Sequence, residues 1–157
     1  MINIKKNILN KKIIIPEATK PVANYSPFTI SGNLVFISGQ VPIVDGKVAF
    51  TGKVGHDLTV HNGIEASRIC MLNTFGILSL ALDNKLELLR KCIKITVFVN
   101  SDKSFVEQPI VANGASNLIK EILYPEGNHA RSAVSVNSLP LNSAIEIESI
   151  FEIALEN

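Results

Sequence analysis

The sequence predicts an α+β fold: a mixed β-sheet with two helices packed on one face. Three observations lead there. Residues 59–82 and 109–123 have helical periodicity, and each is framed by strand-like segments. Those segments carry alternation or β-branched residues, most clearly over Cys92–Val99. The resulting order is β-hairpin, long helix, strand, helix, then two strands, which packs most economically with both helices on one side of one sheet.

Residues 2–12 read as a short helix ended by the run to Pro16. Pro16–Pro27 follow as an extended, proline-punctuated arm carrying Asn24 and Tyr25. Phe28–Ile30 and Asn33–Ser38 are strands about a Ser31-Gly32 turn, and Asp45-Gly46 between Val41–Val44 and Lys47–Phe50 signals a hairpin. In the long helix, Ile64, Met71, Phe75, Leu78 and Leu82 share one stripe. Ala66, Ile69, Cys70, Ile77, Leu80 and Ala81 make much of the other side apolar as well. Such a helix needs a second partner besides a sheet, either another helix or another chain.

Ser104 and Glu107 have capping-box spacing, but Pro109 would break a helix begun there. The second helix is therefore placed from Pro109, as a first-turn proline, to Leu123, burying Val111, Ala115, Leu118 and Ile122. Residues 125–128 are a loop, and 130–136 and 144–154 are the last two strands, joined around Leu139-Pro140.

A chain of 157 residues suits one domain. Hydrophobic residues make up 46% and charged residues 18%, an apolar balance that means either a generous core or, the reading preferred, surface covered by another subunit. A net charge of +1 leaves no electrostatic footprint for a phosphate backbone and argues against a nucleic-acid partner. Lys5, Lys6, Lys11, Lys12 and Lys20, opposed by Glu17, read as a solvated first helix and lead-in rather than a membrane or nucleic-acid arm. The longest early apolar run is Ile13–Ile15, so neither a signal peptide nor a membrane span is expected, and a cytoplasmic location follows. Cys70 and Cys92 fall in buried segments and read as free core thiols. His56, His61 and His129 lack metal-ligand spacing, so no metal site is expected.

Three strings occur in order: Ile37-Ser38-Gly39-Gln40-Val41-Pro42 after an apolar strand, Val97-Phe98-Val99-Asn100 before a helix, and Ala130-Arg131-Ser132-Ala133-Val134 leading through Leu139-Pro140 to Ile145-Glu146-Ile147-Glu148. With these, the chain resembles the reactive intermediate deaminase (RidA/YjgF) family over residues 22–154. The resemblance implies a chorismate-mutase-like fold spanning residues 1–157 as a single domain, with 1–21 as an N-terminal extension. It also implies a homotrimer with clefts lined by two neighbouring subunits. Members with the deaminase activity hydrolyse 2-imino or 2-enamino acids to 2-oxo acids and ammonia, with no metal or organic cofactor.

At the matching positions the residues suit that chemistry. Arg131 stands where the family holds its ligand's carboxylate, for which a planar guanidinium offers two parallel hydrogen bonds. Glu146 stands where the family places the glutamate that orients or activates water. Tyr25 and Ser38 match substrate-binding positions, and Gly39 and Ala133 would offer backbone groups. His129, two residues before Arg131, could point into the same cleft. Glu146 also shares strand parity with Ile150 and Glu152, so a solvated strand face competes with the catalytic reading.

Two positions depart from the family pattern. Ala133 replaces the usual cysteine, and Pro109, beside Gln108, replaces the usual asparagine. The stretches Gly55–Val60 and Asn113–Ser116 mark a longer branch of the family. Three functions compete: an imine/enamine deaminase using Arg131 and Glu146, a non-catalytic trimer binding a 2-oxo acid or related carboxylate, and an endoribonuclease or translation inhibitor. The third is disfavoured, because there is no basic stripe and no His pair with acid–base spacing.

Overall fold

A computed structural model describes residues 2–18 and 24–155. Residues 19–23 of the expected arm, Lys20 among them, lie outside the described residues. In chain order the elements are α1 (Ile4–Asn10), β1 (Phe28–Ser31), β2 (Leu34–Gln40), β3 (Ile43–Val44), β4 (Lys47–Val48), α2 (Val60–Ala81), β5 (Leu89–Asn100), α3 (Gln108–Val111), α4 (Asn113–Ile122), β6 (Ala130–Val136) and β7 (Ile145–Ile153). Five strands form one mixed sheet in the order β1-β2-β7-β5-β6. All neighbours are antiparallel except β5 and β6, which are parallel because α3 and α4 carry the chain back between them.

The hairpin at Asp45-Gly46 forms, but only as the short pair β3/β4 outside the main sheet. Pro42 stands where its first strand would extend, and a proline has no N–H to give a ladder. The expected second helix begins one residue early and divides at Ala112 into α3 and α4.

Alternation along the strands divides the sheet into two faces. Val35, Ile37, Ile95, Val97, Val99, Ile145, Ile147 and Phe151 are buried beneath the helices. The opposite face carries Phe36, Lys94, Thr96, Phe98, Glu146, Glu148, Ile150 and Val134 across the register. Phe36 and Val134 are exposed there.

The apolar girth of α2 is resolved within the chain. One side lies on β7 and β2 and another on α4. The α2–α4 approach is close because Gly114 has no side chain; a β-carbon there would run into the Ile64 carbonyl. The Ala115 N–H donates to Ser67 Oγ across the same contact (3.2 Å). The second partner of α2 is thus another helix, although Leu80 stays exposed, and Phe36 and Val134 leave apolar surface on the open sheet face.

The N-terminal segment is tied into this frame. Asn3 caps α1 by accepting from the Lys6 N–H (3.0 Å). Asn7 Nδ2 donates to the carbonyls of Ile122 and Tyr124, each at 2.9 Å, satisfying acceptors that the end of α4 leaves without intrahelical partners. Ile4 and Ile13 are buried in the core. Cys70 and Cys92 are free and buried, and burial pushes the Cys92 thiol up to about 12 and Cys70 well above its ordinary value.

Candidate functional site

The Ser38-Gly39-Gln40 string sits on a β-bulge. Ile37 faces Ser149 and Gln40 faces Ile147, so β2 advances three residues while β7 advances two. Gln40, nearly buried, holds the bulge by donating Nε2 to the Ser38 carbonyl (3.0 Å) and the Gly39 carbonyl (3.3 Å). Ser38 Oγ donates to the Ser26 carbonyl (2.8 Å), and the Ser38 N–H donates to the Pro27 carbonyl (3.0 Å). These bonds bring the segment that carries exposed Tyr25 beside the bulge.

Across from the bulge, the Glu146 side chain occupies the space above Gly39 where a side chain would otherwise stand. Glu146 is half-buried on the open sheet face. Burial raises the proton affinity of its carboxyl, and neighbouring Glu148 raises it further. The row Glu146, Glu148, Ile150 and Glu152 is therefore not uniformly solvated: Glu148 is exposed, whereas the Gly39 notch draws Glu146 inward. A cavity of about 370 Å³ lies on the same face, lined in part by Ser26, Ser38, Thr96 and Glu148.

Arg131 belongs to a different cluster. It pairs with Ile95 in the β5–β6 register, which places it on the helix-facing side at the sheet edge. Nη1 donates to Asn113 Oδ1 (2.9 Å) and Ser116 Oγ (3.1 Å), and Nη2 donates to the Pro109 carbonyl (3.2 Å). All three acceptors are neutral, so the guanidinium is held without losing its charge. Ala133 lies two residues on, on the same side, packed against the core.

His129 joins this cluster through Ser116. Its Nε2 is 2.9 Å from Ser116 Oγ and its Nδ1 is 3.0 Å from the Gly127 carbonyl. A carbonyl can only accept, so Nδ1 carries the proton, and in the neutral ring Nε2 accepts the Ser116 hydroxyl. The Ser116 lone pairs are then left facing Arg131. Burial lowers the His129 pKa, with smaller contributions from Arg131 and Lys120 against the raising effect of the Gly127 bond.

The structure thus brings Ser38, Gly39 and Glu146 together, with Tyr25 nearby, and gathers Arg131 with His129 elsewhere. Glu146 pairs with Phe98, and Phe98 pairs with Val134, so Glu146 and Arg131 lie two strands apart and on opposite faces. Sequence reasoning gave no role to Gln40, Asn113 or Ser116. Gln40 bonds locally, to the Ser38 and Gly39 carbonyls within its own motif, whereas Asn113 and Ser116 meet Arg131 across 18 and 15 positions of the chain, which leaves no mark in spacing.

An open-faced mixed sheet with helices on one side, a glycine bulge under a carboxylate and an edge-strand arginine define the class. The sequence model of the family described as "YjgF/chorismate mutase-like, putative endoribonuclease" matches residues 6–153. The chain belongs to this family. It is 39% identical over 151 residues to protein TCP17 of Trypanosoma cruzi, covering 96% of this chain and 94% of that protein. The RutC family protein PH0854 of Pyrococcus horikoshii is 33% identical over 142 residues, covering 89% of this chain and 96% of its own length. The crystal structure of Atu1372 from Agrobacterium tumefaciens, a protein of unknown function, is 44% identical with a TM-score of 0.89, covering 96% of this chain and 92% of that one.

Proposed function

We propose that the protein is a deaminase that hydrolyses 2-imino or 2-enamino acids, with each active site shared between two copies of the chain in a homotrimer. The observation that carries this reading is the pair of half-sites on opposite sheet faces. One offers a charged guanidinium held by neutral oxygens. The other offers a desolvated carboxylate over a glycine bulge. A small carboxylate cannot reach both in one chain, whereas a neighbouring copy seated on the open sheet face could supply the missing half. The exposed Phe36 and Val134 suit such a contact.

In this reading Arg131 binds the substrate carboxylate. Glu146 takes a proton from water as its oxygen attacks the carbon of the protonated imine. The carbon–nitrogen double bond becomes single; Glu146 returns its proton to the amine nitrogen, and the tetrahedral adduct expels ammonia as the new hydroxyl becomes the carbonyl, its proton leaving with the ammonia as ammonium. Water and iminium are consumed; 2-oxo acid and ammonium are released. A protonated imine is already an electrophile, so orientation contributes much of the acceleration. Tyr25 and Ser38 would border the substrate, and Gly39 and Ala133 would offer backbone groups.

The test is complementation. Arg131→Ala and Glu146→Gln trimers, each inactive, are mixed, dissociated and reassembled. Shared sites restore about one quarter of wild-type sites, since a random pair brings both intact residues together one time in four. No recovery would place both residues in separate roles within one chain. Carboxylate binding through Arg131 with no turnover even in wild type would favour the non-catalytic carboxylate-binding reading. The endoribonuclease reading has little support from the histidines: His129 is engaged by Ser116 and Gly127, His56 by Asp57 and His61 by Glu65.

A further inference from the structure

Beyond Ala133 on the helix-facing side of β6 comes Ser135, and here the parallel strands β5 and β6 end together at Asn100 and Val136. A cleft of about 680 Å³ opens between these carboxyl ends and α3, lined among others by Lys53, Ser101, Lys103, Phe105, Gln108 and Ser135. The chain must leave such strand ends to reach the next helix. A crevice beyond the carboxyl ends of parallel strands is where α/β sheets receive ligands, and here one parallel pair in an otherwise antiparallel sheet makes such a crevice.

Lys53 is the unusual member. Its Nζ donates to Asn100 Oδ1 (2.8 Å) and the Asn137 carbonyl (2.6 Å), with the Ser101 carbonyl at 3.5 Å. All three partners are neutral, and no carboxylate forms an ion pair with it among the described residues. The third contact is at the limit of a hydrogen bond, so that N–H can turn to a ligand oxygen. Asp102 also lines the cleft, but its Oδ1 accepts from the Ser104 N–H (3.0 Å) and hydroxyl (2.8 Å). Two lysines against one aspartate leave one net positive charge.

The polar floor is tied together by its own hydrogen bonds. Gln108 Nε2 donates to the Phe105 carbonyl (2.7 Å) and to Ser135 Oγ (2.6 Å). Ser101 Oγ is 2.6 Å from Ser135 Oγ. Ser101 Oγ also stands 3.3 Å from the Asp102 carbonyl; given to the nearer Ser135 oxygen, its one hydrogen leaves the Ser135 hydrogen to point into the cleft. The Phe105 ring supplies an apolar wall.

We propose that this cleft is a second binding site, for a small organic carboxylate. Its oxygens meet the Lys53 ammonium and the Ser135 hydroxyl, and its carbon body lies against Phe105. A single net positive charge and an aromatic wall suit an organic monoanion better than phosphate. The site is separate from Arg131. Ser135 stands four residues further along β6, about 13 Å for an extended strand. The Gln108-Pro109 step lies between them, its proline carbonyl on Arg131 and its glutamine amide on Ser135.

The experiment is amide NMR of the full chain titrated with 2-oxobutyrate and, separately, with inorganic phosphate. Expected are saturable shifts of the Gln108 side-chain amide and of the Ser101, Ser135 and Asn137 backbone amides, persisting in Arg131→Ala. Lys53→Met should weaken that response at least about tenfold, as for loss of a hydrogen bond to a charged group. Lys53 also ties three chain segments, so exposed Lys103→Glu provides a variant that keeps the fold; it should weaken binding about threefold at low salt. Three results would overturn the proposal: shifts confined to the Arg131 cluster and abolished by Arg131→Ala, unchanged affinity in folded Lys103→Glu, or phosphate binding as tightly as 2-oxobutyrate. An Arg131 cluster that does not respond to 2-oxobutyrate in the wild type, with the response of this cleft intact, would count against the deaminase reading alone.

Discussion

The Glu146 carboxylate lies directly over Gly39: a β-carbon built on Gly39 would overlap Glu146 Oε1 and stand 2.8 Å from its carboxyl carbon. Gly39→Ala must therefore push this side chain aside. The obstacle is the end of a flexible, half-exposed side chain, so stability should fall by no more than about 1–3 kcal/mol. Hydrolysis of 2-iminobutyrate should fall about 10²-fold, as expected when a catalytic group is misplaced by an ångström. Stopped-flow ammonia release beside a thermal melt separates the two effects, and undiminished turnover would remove Glu146 from the chemistry.

Glu146→Gln keeps size and hydrogen-bonding reach but removes basicity. Turnover should drop about 10²–10⁴-fold with binding of 2-oxobutyrate nearly unchanged. In the wild type, activity should be lost as pH falls through a value raised above that of an ordinary glutamate, because burial, and after it Glu148, raises the Glu146 pKa. The same shift has a stability consequence. A raised acid favours its protonated form in the fold, so the stability it contributes is fully present below the unfolded pKa and lost as pH rises through the folded value. The Gln variant should accordingly melt slightly higher at neutral pH, with the difference vanishing in acid.

Arg131→Ala should weaken 2-oxobutyrate binding by about 1.5–3 kcal/mol in calorimetry, and Arg131→Lys should not restore it, because an ammonium lacks the planar fork. It should also raise the His129 pKa, since Arg131 is one of the charges holding that value down after burial. Proton NMR of His129 reads this directly. An unmoved His129 titration would break the Arg131–Ser116–His129 link.

Two substitutions test the helical layer. Gly114→Ala sets a methyl against the Ile64 carbonyl, and because backbone must move the cost should be about 1–3 kcal/mol or more. Asn7→Ala removes the side chain that serves the Ile122 and Tyr124 carbonyls and should cost about 0.5–1.5 kcal/mol. Chemical denaturation of each variant gives both values, and a neutral Asn7→Ala would mean water caps α4 equally well.

Sedimentation equilibrium at micromolar concentration should give three times the 17.1 kDa chain mass. A monomer would remove the shared site. The surface suited to the trimer contact is the open sheet face with Phe36 and Val134, whereas α2 packs its second face against α4.

The sequence by itself determined most of the elements, because periodicity and turn chemistry are local. The stripe on α2, the β-branched run of β5 and the limits of β6 all follow from neighbours a few residues apart. The family strings likewise marked Ser38, Gly39, Arg131 and Glu146 without any structure. Only the tertiary structure decided which of these meet. Strand parity put Glu146 and Arg131 on opposite faces, a consequence of pairing β7 and β6 through β5. The capture of Arg131 by Asn113 and Ser116, and of Lys53 by Asn100 and Asn137, was equally illegible. Those contacts join residues 15 to 84 positions apart, and a hydrogen bond depends on where the folded backbone carries its partners rather than on any pattern along the chain.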